Sequence, residues 1–294
     1  MEENNNYQLT WLPKKTFEIL AIISWKEVEE ARKKAISEAA KEVEIKGFRK
    51  GKAPEDLVVK SIGNQKLLEL ALENIIPGIY QKAVNFLKLN PILTPKIEVV
   101  EAKENADWKV RFTSCEEPEV KLGNYKEELK KIKVSEKIWT PGKGVDPGKN
   151  EGKIENAKDK KDEKLQKTIE WILQNIKPEI SDLLIENEVN RKLSNLLDQV
   201  QKLGLTIDQY LASSGKSAEN LRQEYQKSAY ETISLEIVLN KIAEVEKVVV
   251  KPEEIDKTIA EVQDEKERKN LESQKYLLAT LIRRQKTLDF LANL

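Results

Sequence analysis

Residues 135–163 constrain the fold of this chain most, because they separate two parts with different sequence patterns. The segment contains Thr-Pro-Gly, Asp-Pro-Gly, further glycines and a lysine-rich run at 158–164, and its few apolar residues follow no period. Such a segment cannot bury enough apolar surface to offset the entropy lost on ordering. We therefore predict a flexible linker between two domains, for which a chain of 294 residues is long enough.

The first part, residues 1–134, has the pattern of an α+β domain. Four segments have the composition and length of short strands: Leu9–Leu12, Phe17–Ser24, Lys96–Ala102 and Trp108–Cys115. Between the second and third of them, apolar residues at helical spacing predict three helices, the first starting at a capping box of Ser24 and Glu27. Pro77 falls inside the longest helix and is expected to kink or split it. The predicted order is therefore ββαααββ.

The last part, residues 164–294, is predicted to be entirely helical. Its clearest periodic stripe, predicted to be buried, comprises Val189, Leu193, Leu196, Leu197, Val200 and Leu203. A second capping box, Thr206 with Gln209, starts a short helix, and the last helix is expected from about Glu267 to Leu291. Short loops between the helices predict antiparallel hairpins.

The composition excludes several kinds of chemistry. Because the chain has no histidine, it cannot form a Ser/His or Cys/His nucleophile pair or an imidazole metal site. Cys115 is the single cysteine, and we interpret it as a small strand residue rather than a reactive thiol. Basic and acidic residues both number 51, so no net charge attracts the protein to nucleic acid or membrane. We expect no metal and no cofactor.

The sequence also favours a cytoplasmic location. Its first residues are polar and acidic, unlike a secretory signal, and the longest apolar run near them, Ile19–Ile23, is too short to span a bilayer. A lone cysteine suits a reducing compartment. We therefore expect a cytoplasmic protein without a membrane partner.

One segment, Lys46–Pro54, has the composition of a binding loop. Gly47 and Gly51 permit a tight loop between two helices, and Phe48 then lies at a loop tip where burial is difficult. The cations around it are Lys46, Arg49, Lys50 and Lys52. An aromatic anchor among cations suits a surface that mixes carboxylates, phosphates and an apolar depression. Composition alone supports equally a solubilising loop whose phenylalanine packs back into the domain, whereas the glycine spacing excludes a phosphate-binding P-loop.

The motif Gly47-Phe-Arg-Lys-Gly-Lys-Ala-Pro54 resembles the ribosome-docking motif of trigger factor, the bacterial chaperone at the nascent-chain exit. Further segments resemble the docking domain of that family in the same order: Ile76–Ala83, Pro95–Val99 and Phe112–Val120. Others resemble its helical chaperone domain: Leu184–Glu188, Gly204–Leu211 and Ser217–Lys247. The resemblance covers nearly the whole chain except the linker.

This resemblance implies an α+β ribosome-docking domain at 1–134 and a helical chaperone domain at 164–294 that cradles clients. It implies that Phe48, Arg49 and Lys50 contact the large ribosomal subunit, through protein and rRNA, near the exit tunnel. The residues implied to shape and flank that contact are Gly47, Gly51, Lys52 and Pro54. Nascent or unfolded polypeptides are the other implied partners, with no client-binding residue indicated, and a homodimer of the free protein stays open.

Members of the family normally carry a prolyl isomerase domain between the docking and helical parts, whereas here the linker 135–163 occupies its place. An isomerase pocket is lined by aromatic residues, and Trp139 is the only aromatic residue of the linker. We therefore predict a non-enzymatic, ATP-independent chaperone without catalytic residues. The alternatives are a prolyl isomerase-type folding catalyst, a ribosome-independent holdase or assembly chaperone, and an RNA-binding module that uses the linker lysines.

Overall fold

The structure, a computed structural model, describes residues 6–45, 48–103, 105–131 and 151–294, with the backbone alone for 151–161. It divides into two compact units, each with its own core. The N-terminal unit comprises Met1–Glu117 with Ser181–Leu184, and the helical unit comprises Pro118–Ile180 with Ile185–Leu294. The predicted fold class, an α+β part followed by an all-α part, is confirmed.

Four antiparallel strands form the sheet of the N-terminal unit, in the order β1-β2-β4-β3. They are β1 (Tyr7–Leu12), β2 (Thr16–Ile23), β3 (Lys96–Glu101) and β4 (Trp108–Cys115). Along β2, buried residues alternate with half-buried ones. Ile19 lies opposite Phe112 and Ala21 lies opposite Val110, and all four are fully buried. The two central strands therefore present one apolar face to the core.

Three helices connect β2 to β3, as the predicted order ββαααββ requires: α1 (Trp25–Glu42), α2 (Glu55–Ile62) and α3 (Asn64–Leu87). Helices α1 and α3 pack on the apolar face of the sheet through Val28, Ile79 and Ala83. The short helix α2 buries Val58 in a second cluster that it shares with the end of α1 and the start of α3. This second cluster lies at the α1–α2 connection, where the binding loop was predicted.

Helix α3 continues through Pro77, so of the two predicted outcomes, a kink or a split, the split did not occur. A proline in a helix interior removes one backbone hydrogen bond and costs about 3 kcal/mol. Residues on both sides of it, Leu72 before and Ala83 after, pack in the same core. Burial of both halves on one sheet holds the helix together across the missing hydrogen bond.

The remaining described helices are α4 (Tyr125–Lys130), α5 (Glu151–Asn175), α6 (Asp182–Lys202), α7 (Ile207–Ser214), α8 (Ala218–Val245), α9 (Pro252–Ala260), α10 (Glu265–Ser273) and α11 (Lys275–Ala292). The core of the helical unit is formed mainly by α5, α8 and α11, with Ile172, Ile242 and Leu291 fully buried. The short helix α4 adds Tyr125 and Leu129 to the same core.

The compact units divide at a different place from the predicted domain boundary. The helical unit begins at Pro118 rather than near residue 134, because α4 buries two side chains in its core. Of the predicted linker, residues 135–150 lie outside the described ranges. Residues from Glu151 onward belong to α5, which therefore begins before the predicted start of the helical domain at 164.

Two predicted details of the helices had opposite outcomes. The capping box of Thr206 and Gln209 is confirmed, since the Gln209 N–H donates to the Thr206 hydroxyl and the Thr206 N–H donates to the Gln209 side chain. The prediction of a single last helix is wrong, because two helices occupy that stretch. Helix α10 ends at Ser273, and α11 starts at Lys275 after Gln274, whose backbone is not helical.

Candidate functional site

The predicted binding loop connects α1 to α2 and is anchored at both ends. Helix α1 ends in the C-cap Val43, and Pro54 is the N-cap of α2. Ile45 near the start and Ala53 near the end pack on the second apolar cluster. Between these anchors, the described residues 48–52 are all exposed. The described residues therefore form an exposed tip with both ends fixed, and we call residues 43–54 the docking loop after the role predicted from the sequence.

Backbone hydrogen bonds tie the tip to α1 and close a turn within it. The Gly51 N–H donates to the Ala40 carbonyl at 2.8 Å, which ties the tip to the last turns of α1. The Lys52 N–H donates to the Arg49 carbonyl at 2.9 Å and closes a turn. Gly51 has φ = +76°, a conformation that favours glycine. The positive φ thus explains why a glycine suits this position, where one was predicted to shape the loop.

The side chains of the tip place an apolar ring among cations. Phe48 keeps 43% of its surface exposed, so it is not buried in the interior of its own unit. Arg49, Lys50 and Lys52 are exposed on the same tip. A shallow depression beside the ring is lined by Glu44, Ile45, Phe48, Arg49 and Lys50. Such a surface suits a partner that offers both apolar contact and negative charge.

The structure brings most of the predicted site residues onto this one loop. Phe48, Arg49, Lys50, Gly51 and Lys52 form its exposed tip. Pro54 starts α2, where its carbonyl accepts the N–H groups of Leu57 and Val58 at 3.0 Å and 3.2 Å. Gly47 was predicted with them, but it lies outside the described residues, as does Lys46. The contacts that these residues make with a partner stay a prediction.

Sequence reasoning missed one residue of the loop. Glu44 lies two positions before the predicted segment, and its carboxylate Oε1 is 3.1 Å from the Nζ of Lys50. The signal that could have found it is an acidic residue flanking a cationic motif. That signal is weak, because acidic residues are frequent throughout this chain.

A second surface feature lies in the helical unit, between α6, α7 and α8. It is an apolar groove of about 480 Å³ whose lining residues are Leu193, Leu196, Leu197, Ile207, Leu211, Ala218, Glu219, Leu221 and Arg222. Two of these residues are charged and the others are apolar. We call this feature the α6–α8 groove.

The predicted buried stripe of α6 is buried only in part. Val189, Leu196 and Val200 are buried, as expected. Leu197 is 48% exposed and Leu203 is 74% exposed, so the prediction of burial is wrong for these two. Leu197 is exposed because the apolar stripe of α6 is wider than the strip that the neighbouring helices cover, whereas Leu203 lies in the turn after α6, which ends at Lys202. The helical unit therefore presents apolar side chains to solvent.

Other kinds of site find no support in the described part of the chain. No cluster of acidic or cysteine side chains there could hold a metal ion. Cys115 is buried at the end of β4, and this burial raises the pKa of its thiol, which disfavours the reactive thiolate. Within the same ranges, no helix combines the length and apolar character needed to cross a bilayer.

Two family models match this chain and leave few residues between them. Residues 7–140 match the model described as bacterial trigger factor protein, and residues 149–293 match the model of the C-terminus of bacterial trigger factor protein. The chain belongs to the trigger factor family. Only residues 141–148 separate the two matches, which is too short a segment for a folded domain.

Curated trigger factors of similar sequence include three of different bacteria. That of Streptococcus agalactiae serotype Ia is 34% identical over 116 residues, that of Finegoldia magna 39% over 95, and that of Natranaerobius thermophilus 33% over 132. These matches cover 40%, 31% and 43% of this chain. They cover 27%, 22% and 30% of the relatives, so this chain spans less than a third of the trigger factors it matches.

A solved trigger factor structure shares the fold over almost the full length. It comes from work on promiscuous substrate recognition in folding and assembly activities of the trigger factor chaperone. The alignment covers 97% of this chain and 99% of that chain, with a TM-score of 0.66 and 17% sequence identity. At this low identity the likeness establishes a common trigger factor fold, while function has to be argued from the sites.

Proposed function

We propose that this chain is an ATP-independent chaperone that docks near the exit tunnel of the large ribosomal subunit and shields unfinished polypeptides from aggregation. The observation that carries the proposal is the half-exposed Phe48 at the tip of an anchored loop, with Arg49 and Lys50 beside it. Membership in the trigger factor family supports the choice of the ribosome as the partner.

The chemistry of the docking loop suits a ribosomal surface. Arg49 can form a bidentate pair with a carboxylate or a phosphate, and the lysines add attraction that salt screens. A phenylalanine that enters an apolar depression contributes more binding energy than the surrounding polar contacts. Because the loop is already held by hydrogen bonds to α1, docking costs little ordering of the backbone.

The α6–α8 groove, which the exposed Leu197 lines, is the proposed client-binding surface. A nascent chain exposes apolar side chains before it can bury them. Each Å² of apolar surface removed from water contributes about 25 cal/mol, so a small groove binds one segment weakly and releases it when the client folds. Docking near the exit would raise the local concentration of clients and offset this weakness.

We further propose that the chain has no prolyl isomerase activity. The eight residues between the two family matches, 141–148, leave no room for a catalytic domain. A turnover assay with a proline-containing peptide tests this point, and catalysed isomerisation would favour the enzyme alternative instead.

Co-sedimentation with ribosomes tests the docking proposal. We expect a Phe48→Ala/Arg49→Ala/Lys50→Ala variant to lose binding while keeping its fold, because all three side chains are exposed. Binding of the unaltered chain should weaken steeply with salt, as contacts with phosphates do.

A matched control removes an equally exposed phenylalanine and two cations elsewhere in the same unit. Phe86 is 46% exposed on α3, and Lys82 and Lys34 are exposed on α3 and α1. The Phe86→Ala/Lys82→Ala/Lys34→Ala variant should bind ribosomes like the unaltered chain. Equal binding by the docking-loop variant would defeat the docking assignment, and protection of clients without any ribosome binding would favour the holdase alternative.

A further inference from the structure

The cations of the docking loop differ in their surroundings. Lys50 has its Nζ 3.1 Å from the Oε1 of Glu44, and both side chains are exposed, by 55% and 82% respectively. Neither Arg49 nor Lys52 has an ion-pair partner among the residues that the structure describes. Lys50 is therefore a predicted docking cation that already has an anion beside it within the loop.

The position of Glu44 relative to the aromatic ring matters as much as the ion pair. Glu44 and Lys50 both line the shallow depression beside Phe48, together with Ile45 and Arg49. An anionic group of a docking partner that approaches Lys50 next to the ring would come close to the Glu44 carboxylate. The two anions cannot both pair with one ammonium group at close range without repelling each other.

We propose that Glu44 sets the affinity of docking, because its carboxylate competes with the anionic groups of the ribosome for Lys50. This inference rests on the proposed docking function and adds to it a residue outside the Gly47–Pro54 motif. Docking exchanges the ion pair with Glu44 for an ion pair with the ribosome. Lys50 therefore contributes to the binding free energy only the difference between the free energies of these two pairs. Glu44 thereby keeps docking weaker than the cations alone would make it.

The size of the effect follows from the exposure of the pair. Exposed ion pairs contribute little to stability, since water and salt screen them. Removing the competing carboxylate should therefore tighten ribosome binding by about two- to fivefold. If Lys50 then pairs with a phosphate, the slope of log Kd against log salt concentration should steepen by up to about 0.7–0.9.

The test measures binding of the full chain to purified large ribosomal subunits at several salt concentrations. Glu44→Gln keeps the size of the side chain and removes its charge. The matched control is Glu30→Gln, which makes the same charge change on the exposed face of α1. Glu30 lies about 18 Å along the helix from the end of α1, at about 1.5 Å per residue. That distance exceeds the screening length of about 8 Å at physiological salt.

We expect Glu44→Gln to bind about two- to fivefold more tightly than the unaltered chain and Glu30→Gln to bind like it. If the unaltered chain binds but Glu44→Gln and Glu30→Gln bind no differently from it, the inference is overturned while the docking function stands. If the unaltered chain does not bind at all, the docking function itself fails, and the inference with it.

A second pair of variants separates competition for Lys50 from general repulsion between Glu44 and the ribosome. In a Lys50→Gln background there is no ammonium group to compete for, so adding Glu44→Gln should leave the affinity unchanged. A gain as large as in the unaltered background would show that Glu44 does not act through Lys50 and would overturn the inference. Circular dichroism of each variant checks that the fold is retained.

Discussion

At the scale of single residues, the docking loop depends on one backbone conformation. Gly51 has a positive φ and donates its N–H to the Ala40 carbonyl, so it fixes both the shape of the tip and its link to α1. A Cβ at this position would meet only Lys41 Cγ, at 3.9 Å, which is ordinary contact. The demand for glycine is therefore conformational rather than steric.

Replacing Gly51 by alanine should lower the free energy of unfolding by about 1–2 kcal/mol, since a side chain makes the left-handed conformation costly. Gly78→Ala is the matched control, because Gly78 lies exposed within α3, without a positive φ and with no atom within 4 Å of its would-be Cβ. It should instead stabilise the protein by about 0.5–1 kcal/mol. Urea unfolding measures both, and two changes of the same sign would contradict this reading of the loop.

Residue identities in the docking loop could be predicted from sequence, but their pairing could not. Glycine carries its conformational preference with it, which is why Gly51 could be predicted as turn-forming, whereas composition left the exposure of Phe48 open between two interpretations. The approach of Glu44 to Lys50 depends on how the chain bends between them, and no local pattern encodes that distance. For the same reason, Leu197 was predicted as buried: periodicity indicates the apolar side of a helix, not how far the neighbouring helices cover it.

At the scale of elements, the exposed side of α6 gives the client-binding proposal a specific test. Leu197 lines the α6–α8 groove and is 48% exposed, whereas Leu203 is 74% exposed and does not line it. Leu197→Gln should weaken suppression of client aggregation about fivefold, because burial of half a leucine contributes about 1 kcal/mol. Leu203→Gln should have a smaller effect. Equal losses in a light-scattering assay with a denatured client would argue against the groove.

The short helix α4 is held to the helical unit by a carboxylate. The Tyr125 hydroxyl donates to Glu246 Oε1 at 2.6 Å, and Lys126 Nζ lies 2.7 Å from Glu246 Oε2. Lys126 also lies 5.9 Å from the centre of the Phe290 ring, within range of a cation–π interaction. The hydrogen bonds from Lys126 and Tyr125 lower the pKa of Glu246. The folded state therefore stabilises the ionised form of Glu246.

A lowered pKa in the folded state means that the stabilisation is present above the ordinary value of 4.5 and is lost as the pH falls through the lowered value. Glu246→Gln should thus cost about 1 kcal/mol at pH 7 and progressively less below pH 4.5. Urea unfolding at pH 7 and at pH 3 measures the difference. The control, Glu244→Gln, breaks only an exposed pair with Lys241 on the same helix and should change stability little at either pH.

How well the elements could be predicted depended on whether their determinants are local. The capping boxes at Ser24 and Thr206 involve residues three positions apart, and both formed as predicted. The helix break at Gln274 has no glycine or proline to mark it, and the persistence of α3 through Pro77 depends on packing against the sheet. The persistence of α3 is set by tertiary packing, which a local pattern does not contain, and nothing in the structure explains the break at Gln274.

At the scale of the whole molecule, the two compact units have separate cores, and each proposed function belongs to one of them. The docking loop lies in the N-terminal unit and the α6–α8 groove in the helical unit. The difference between an α+β part and an all-α part was predictable, because the periods of two and 3.6 residues are distinct. The division at Pro118 was not predictable, since it depends on the packing of Tyr125 and Leu129 in the core of the helical unit.

If docking depends on the loop alone, the lysines of the predicted linker, residues 135–163, should not matter for ribosome binding. Replacing the lysines of this segment by glutamine should leave co-sedimentation with ribosomes unchanged, within about twofold. This variant thus serves as a control for the docking-loop variants, because it removes charges elsewhere in the chain. Loss of binding in this variant would instead support the RNA-binding alternative.

The hydrogen bond between Gly51 and Ala40 has a consequence for the lifetime of a complex. A tip that is rigid before contact gains its affinity without first having to find the right shape, so association is fast and modest affinity corresponds to rapid departure. A molecule with such a tip can visit many translating particles in succession rather than remain on one. Under the proposed docking function, the bond at the base of the loop would thus favour frequent exchange of each molecule between particles.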